Sequence, residues 1–286
     1  MNRFLKVFFF VMLPTFSIAE TASRSPDPVR YVAPSSQGDQ QSSKAIVTNF
    51  GTAGLINMPS AAALPEGELS IYQRNNSILS RTGIAFQLTP RLGLGLQYSG
   101  QGKNGGLASG RSNWDRSFIL HFNIKRESDY MPAVSFGLRD FIGTGWYSSE
   151  YIVGTKTIGP IGLTAGLGFG RLAGRNQIAN PFSTISGSFK TRPDTDFGKG
   201  GTLGNNQWFR GPASPFAGVT YALNDKVTLA TEYSPDLMVQ EKGYLAVKSP
   251  YNLGMSYRWS EMVSLNAQYL YGSTVSLGAN LHLNPK

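Results

Sequence analysis

From residue 67 onward apolar side chains fall at every second position, the repeat that turns one face of a strand toward a nonpolar environment. Leu92, Leu94, Leu96 and Tyr98 share a face whose reverse is Gly93, Gly95, Gln97 and Ser99. Phe118, Leu120, Phe122 and Ile124 oppose Ile119, His121, Asn123 and Lys125 in the same way. Near the C-terminus Val275, Leu277, Ala279, Leu281 and Leu283 oppose Ser276, Gly278, Asn280 and His282. This periodicity predicts strands near 67–74, 81–89, 91–99, 115–125, 131–139, 148–157, 160–171, 213–223, 226–234, 250–259, 262–271 and 273–283. Several reach nine to eleven residues, the length of a tilted bilayer-spanning strand rather than the roughly five or six usual in soluble sheets.

Alternation by itself suits a soluble β-sandwich or lipocalin equally well. The connections separate the readings. Links are tight at 89–90, 126–130, near Gly159, at 224–225 and at 260–261. The others are mostly long, at 75–80, 100–114, 140–147, 172–212 and 235–249, with a short last one at Gly272. That rhythm predicts an all-β fold, an up-and-down transmembrane β-barrel of about 12 antiparallel strands over residues 67–286. Turns would then face the periplasm and loops the exterior, with a long extracellular loop near 172–212. Tyr98, Tyr221, Tyr233, Tyr257, Trp259 and Tyr269 stand at strand ends as aromatic girdles would.

The N-terminus reads as an address. Arg3 and Lys6 precede the apolar stretch Val7 to Ile18, and Ser17-Ile18-Ala19 supplies small residues for cleavage, so 1–19 is expected to be a signal peptide. Residues 20–66 are expected to form a periplasmic arm, with 45–66 docking beneath or inside the barrel. Composition narrows the chemistry. With 286 residues, no Cys and two His, the chain excludes disulfide scaffolds, thiol catalysis, a lipid-bearing N-terminal Cys and a His-rich metal site. The net charge is +9, or +7 without Arg3 and Lys6. Its Lys and Arg are scattered singly, without a nucleic-acid module, which suits anionic polymer or lipid headgroups better than nucleic acid.

In this register Arg74, His121, Lys125, Arg139, Glu150, Lys156, Glu232, Arg258 and His282 fall on the polar, lumenal face. Arg139, Glu150, Lys156, Glu232 and Arg258 are therefore candidate lumen contacts, the functional reading being a polar passage or cup in which such side chains meet sugar hydroxyls. The competing role is a plug of interlocked ion pairs, since mixed signs on one inner wall are what buried charge requires. Trp208, mid-loop, is a candidate for stacking on a sugar ring or a partner, while Trp114 and Trp146 read as girdle anchors. His121 raises the alternative of a barrel-embedded lipid or glycan hydrolase. Ser117 is about 13 Å away along the same strand, too far for a dyad. No catalytic residue, metal ligand or cofactor is assigned.

Asn49-Phe50-Gly51-Thr52-Ala53-Gly54-Leu55-Ile56-Asn57-Met58-Pro59-Ser60-Ala61 resembles the opening motif of the YjbH-like (GfcD-like) outer-membrane proteins of exopolysaccharide and capsule systems. Pro65-Glu66-Gly67-Glu68-Leu69-Ser70 is similar to that family as well. A more specific block runs from Gly137-Leu138-Arg139-Asp140 through Gly143 and Gly145 to Glu150-Tyr151. Asn180-Pro181-Phe182 and Gly211-Pro212-Ala213-Ser214-Pro215-Phe216 extend the likeness over most of 49–286, matching the N-terminal barrel half. The resemblance implies a non-enzymatic component of polysaccharide assembly or export in the bacterial outer membrane. Its implied partners are outer-membrane lipid, the extracellular polysaccharide, and other secretion proteins or a second barrel subunit. A general porin-like or structural barrel remains the alternative.

Overall fold

The computed structural model describes residues 45–77, 79–101, 113–194, 203–241 and 245–284. The expected signal peptide and the arm up to residue 44 lie outside the described residues, as do 102–112 and 195–202 of two long loops. Two short strands, β1 (Ile46–Val47) and β2 (Ala53–Gly54), pair with each other. Twelve longer strands follow: β3 (Leu69–Asn75), β4 (Leu79–Gln87), β5 (Leu92–Gln101), β6 (Asn113–Lys125), β7 (Ala133–Arg139) and β8 (Ser149–Ile158). Then come β9 (Ile161–Gly170), β10 (Ala213–Ala222), β11 (Val227–Tyr233), β12 (Tyr251–Arg258), β13 (Val263–Leu270) and β14 (Thr274–Leu283). Each pairs antiparallel with its sequence neighbours, and β14 pairs with β3 to close the barrel. Every predicted strand has its counterpart, with ends displaced by a few residues.

The outer wall is apolar through its middle. Leu94, Leu96, Phe118, Leu163, Val219, Leu229, Leu253, Met255, Leu265, Leu277 and Leu281 are all exposed there. Such a continuous belt is far larger than the apolar patches of soluble monomers and is the lipid-facing surface of a transmembrane barrel. Closure matters for the same reason, because it leaves no strand edge unpaired in hydrocarbon. Near one rim Tyr98 stacks on Trp114 at 5.2 Å, and Tyr233 meets Tyr251 edge-on at 5.8 Å.

One end of the barrel carries compact turns built by local side-chain capping. Asn224 Oδ1 accepts from the amides of Lys226 and Val227, Thr89 Oγ1 from Leu92 and Ser260 Oγ from Val263. These are the Asx- and ST-turns that short polar side chains favour. At Gly159 φ is +57°, the left-handed conformation glycine tolerates best. The opposite end carries the long connections, of which 171–212 is the largest and contains short 3-10 turns at Pro181–Thr184, Gly187–Phe189 and Asn205–Gln207.

The interior is filled by the chain itself. Residues 45–64 lie inside the barrel, and Val47, Phe50, Ala53, Leu55, Ile56, Met58 and Ala61 are each almost completely buried. Leu55, Met58 and Ala61 pack with Tyr151, Val153 and Phe216 of the inner wall. Val47, Ala53 and Leu64 pack with Tyr72 and Ala85, and Ile56 with Ala230, Leu270 and Tyr271.

Three expected positions are corrected: a bulge between Asn123 and Lys125 pairs Lys125 with outward-facing Val134 and leaves it exposed at the turn end, and the filling explains two on β8. Glu150 pairs with Leu138, and Lys156 with Leu163, on the outward face of β8, so neither reaches the lumen. The inward face of β8 is Ser149, Tyr151, Val153, Thr155 and Thr157. Polarity misleads here because the inner wall opposite the plug is itself apolar, while Glu150 is shielded from lipid by loop 171–212.

Candidate functional site

The plug is held by backbone recognition. Glu232, on the inner face of β11, accepts from the amides of Ile56 and Met58 at 2.9 Å and of Asn57 at 2.9 and 3.1 Å. Its fourth donor is Asn252 Nδ2 at 2.8 Å. Four donor groups converging on two oxygens is the arrangement a carboxylate satisfies. On the opposite wall Arg139 Nη2 donates to the Asn57 carbonyl at 2.8 Å. Arg74 grips the other arm, donating to Asn49 Oδ1 (3.0 Å) and to the Val47 carbonyl (2.9 Å). Asn49 Nδ2 reaches Asn57 Oδ1 and Gln268 Oε1, and Asn57 Nδ2 reaches the Tyr271 hydroxyl. Near the exit of the plug, Thr155 Oγ1 accepts from the Ala61 amide while Asn123 and Ser135 donate to its carbonyl.

Above the plug, toward the loops, sits a layer of charge. Arg171 Nε meets Asp236 at 2.7 Å and its Nη2 meets Glu241 at 2.8 Å, and Arg81 approaches Glu241 at 3.6 Å. Burial alone would lower the Arg171 pKa, yet Asp236 and Glu241 hold it well above its ordinary value. The guanidiniums of Arg81 and Arg139 stand 4.3 and 4.4 Å from the Phe50 ring, and Arg171 stands 4.7 Å from that of Tyr147.

The Gly137–Tyr151 block builds this cap. A Cβ on Gly137 would run into the Tyr151 hydroxyl, which bonds His121 Nδ1 at 2.9 Å. Asp140 turns the chain with φ +55° and accepts from the Tyr147 amide at 2.9 Å. Burial, and then neighbouring Asp115, pushes the Asp140 carboxyl up to about 8. A side chain on Gly143 would displace that carboxyl, and Gly145 takes φ +85°. Leu138 is buried on the outer face of β7.

Outside the barrel, Arg192 pairs with Glu150 at 2.7 Å, and Glu150 also accepts from the Phe209 amide at 3.0 Å. Phe169 on the outer wall stacks with Phe182 at 5.8 Å and meets Phe209 edge-on at 5.4 Å. The loop aromatics thus latch the loop to the wall. Trp208 is half-buried and edge-on to Phe141 at 6.3 Å. Lys156 sits at the turn-end rim, on Glu127 (3.1 Å) and the Ser128 carbonyl. Of the candidates, only Arg139 and Glu232 are brought together, both on Asn57.

The turn end opens inward instead. A cavity of about 370 Å³ there is lined by Glu68, Arg258, Ser264, Asn280 and His282, and a second of about 510 Å³ lies beside it around Ile46, Thr155 and Thr220. His282 Nδ1 is 2.9 Å from Glu68 Oε1, and its Nε2 is 2.8 Å from Ser264 Oγ. Asn280 Nδ2 donates to Ser264 Oγ at 2.8 Å. His121, by contrast, is buried against Tyr151, while Ser117 donates to Asp115. Among the described residues no cluster of three or more His, Asp or Glu is placed to hold a metal.

Sequence reasoning missed Arg81, Arg171, Asp236 and Glu241, which lie at strand ends or in loops where period two gives no phase. It also missed Glu68 and Ser264, polar residues among many; Glu68 meets His282 across the β14–β3 closure, a contact not local in sequence, and Ser264 meets it across the β13–β14 hairpin.

Solved structures that align with this chain include the KdgM porin, at 9% identity and a TM-score of 0.42, covering 75% of this chain and 98% of that one. The COG4313 outer membrane channel from Pseudomonas putida F1 aligns at 9% identity and a TM-score of 0.41, over 80% and 100% of the two chains. Outer membrane phospholipase A from Escherichia coli aligns at 13% and 0.32, over 77% and 96%. In sequence the chain is 34% identical over 244 residues to "Uncharacterized lipoprotein YjbH" of Escherichia coli (strain K12), covering 83% of this chain. It spans only 35% of that relative's length. Residues 46–286, from the first strand of the plug through the whole barrel, match the family described as "Exopolysaccharide biosynthesis protein YbjH", and the chain belongs to that YjbH family.

Proposed function

We propose that this protein serves in the bacterial outer membrane as a plugged barrel component of exopolysaccharide or capsule assembly or export. Family membership over 46–286 is the observation that carries this reading. The apolar outer belt supports placement in lipid. With 45–64 filling the lumen, passage of a polymer requires that segment to move, so the barrel works as a gated element rather than an open general pore. The charges that hold the plug, Arg74, Arg139 and Glu232, bind backbone and amide groups and have no chemical step to perform. The partners of this reading are outer-membrane lipid, the polysaccharide itself, and other secretion proteins or a second barrel subunit.

The test is the amount of surface and secreted polysaccharide in a strain lacking the gene, with and without the wild-type copy restored. A loss that the restored copy rescues is expected. Unchanged yield, under conditions where the polymer is made, refutes the role.

A further inference from the structure

The turn-end cavity contains a relay that the plug does not use. Glu68 Oε1 lies 2.9 Å from His282 Nδ1, and His282 Nε2 lies 2.8 Å from Ser264 Oγ. A carboxylate at Nδ1 fixes the ring proton there and leaves Nε2 to accept from the serine hydroxyl. The carboxylate is itself steadied by Ser70, whose hydroxyl donates to the same oxygen at 2.6 Å. Asn280 Nδ2 stands 2.8 Å from Ser264 Oγ, and its Oδ1 is held by Arg74 Nη2 at 2.7 Å. Arg258 is the cross-strand neighbour of Ser264 and faces the same cavity. His282 remains reachable, with 19% of its side chain exposed. Nucleophile, base, orienting carboxylate and amide donor therefore meet on the wall of that cavity, Ser264, Glu68 and Asn280 buried in it and His282 at its open side, with both hydrogen bonds of the relay inside catalytic range.

We infer that Ser264, His282 and Glu68 form a hydrolytic triad that removes short O-acyl groups from a glycan at the turn end of the barrel. The cavity, about 370 Å³, admits a sugar unit rather than a lipid chain. Ile46, Val47 and Met262 give it an apolar side for the acyl group, while Asn224, Lys226 and Arg258 give donors for sugar oxygens. In the first step Ser264 Oγ bonds to the ester carbonyl carbon as its proton passes to His282 Nε2. The carbonyl electrons move to oxygen, where the Asn280 amide and Arg258 are placed to meet the negative charge. Collapse breaks the bond to the sugar oxygen, which takes the proton from Nε2 and leaves as a hydroxyl. Water then attacks the acyl-serine, giving its proton to Nε2, and collapse releases the carboxylic acid and returns a proton to Ser264. The sum is ester plus water to alcohol plus acid.

The glycan as substrate rests on the export reading, whereas the triad itself does not. The full chain, purified in detergent, is treated with a fluorophosphonate probe and assayed on 4-nitrophenyl acetate. Folding of each variant is checked by its mobility shift on boiling. Labelling at Ser264, located by peptide mass, is expected in the wild type and lost in S264A. H282Q is expected to slow hydrolysis by about a hundredfold or more. Glu68 is a positioning residue, and E68Q is expected to lower the rate while shifting its pH profile. Absence of labelling in folded wild type, or equal labelling of folded S264A, overturns the triad. Loss of polymer in the deletion strain without any labelling sinks the triad alone, and labelling without polymer loss sinks the export reading alone.

Discussion

Replacing Glu232 with Gln separates the plug's hydrogen bonding from its packing, because the volume stays while one acceptor oxygen becomes a donor. In the native protein Oε2 accepts from Ile56, Asn57 and Met58, and Oε1 from Asn57 and Asn252. Whichever way the new amide turns, its NH2 faces at least two donors, and the remaining oxygen is uncharged. Two lost bonds to a charged acceptor at roughly 1.5–3 kcal/mol each come to about 3–6 kcal/mol against the seated plug. At 1.36 kcal/mol per tenfold change, the fraction with the plug displaced rises by roughly two to four orders of magnitude. The natural absence of Cys allows a direct readout, since A61C introduces a lone thiol at a fully buried plug position. Maleimide should modify A61C slowly in the otherwise native barrel and much faster with E232Q, while both keep the boiling shift of a closed barrel. Equal rates would refute the reasoning, and would mean that packing of Leu55 and Met58 on Tyr151 and Phe216 holds the plug without Glu232.

Three further perturbations test the cap and the outer latch. Glu150→Gln weakens the Arg192 pair, a charge-assisted contact of about 1.5–3 kcal/mol, and loop 171–212 should then be cut faster by trypsin with the barrel intact. Asp140, with its carboxyl raised to about 8, contributes stability that is full below about pH 4 and lost as pH rises through about 8. The unfolding temperature should therefore fall between pH 5 and pH 9, and D140N, whose Asn tolerates the positive φ, should flatten that fall. Gly137→Ala forces the Tyr151 hydroxyl away from His121 and should lower the unfolding temperature by several degrees, a loss of about 1–3 kcal/mol.

How much of this was legible in the sequence follows from what each residue faces. Lipid imposes one chemistry on every outward position, so Leu92–Tyr98 and Val275–Leu283 declare both strand and phase without reference to anything else. The lumen imposes none, because its wall matches whatever part of 45–64 lies opposite. Tyr151 and Val153 face Leu55 and Met58, and this made the inner side of β8 look like an outer one. Period two therefore assigns Glu150 to the lumen, whereas its partner Arg192 lies more than forty residues away in a loop with no period. Arg139 and Glu232 were legible as inward charges, but their common target, the backbone around Asn57, was not. A stretch that folds as a compact insert, held by side chains from eight or so separate strands, leaves no repeat to read.

Both ends of the plug lie at the turn end, where Ala45 and Pro65 line the same cavity, while Phe50 lies deep beneath the arginines of the cap. The segment is thus a doubled-back insert that enters and leaves the barrel at the same end. A pull on the chain at Ala45 loads Val47 and its bond to Arg74 first, and the Glu232 cradle around Ile56–Met58 afterwards. The bonds then break one after another instead of sharing the load, which lets modest tension from one side of the membrane unseat what thermal motion leaves closed.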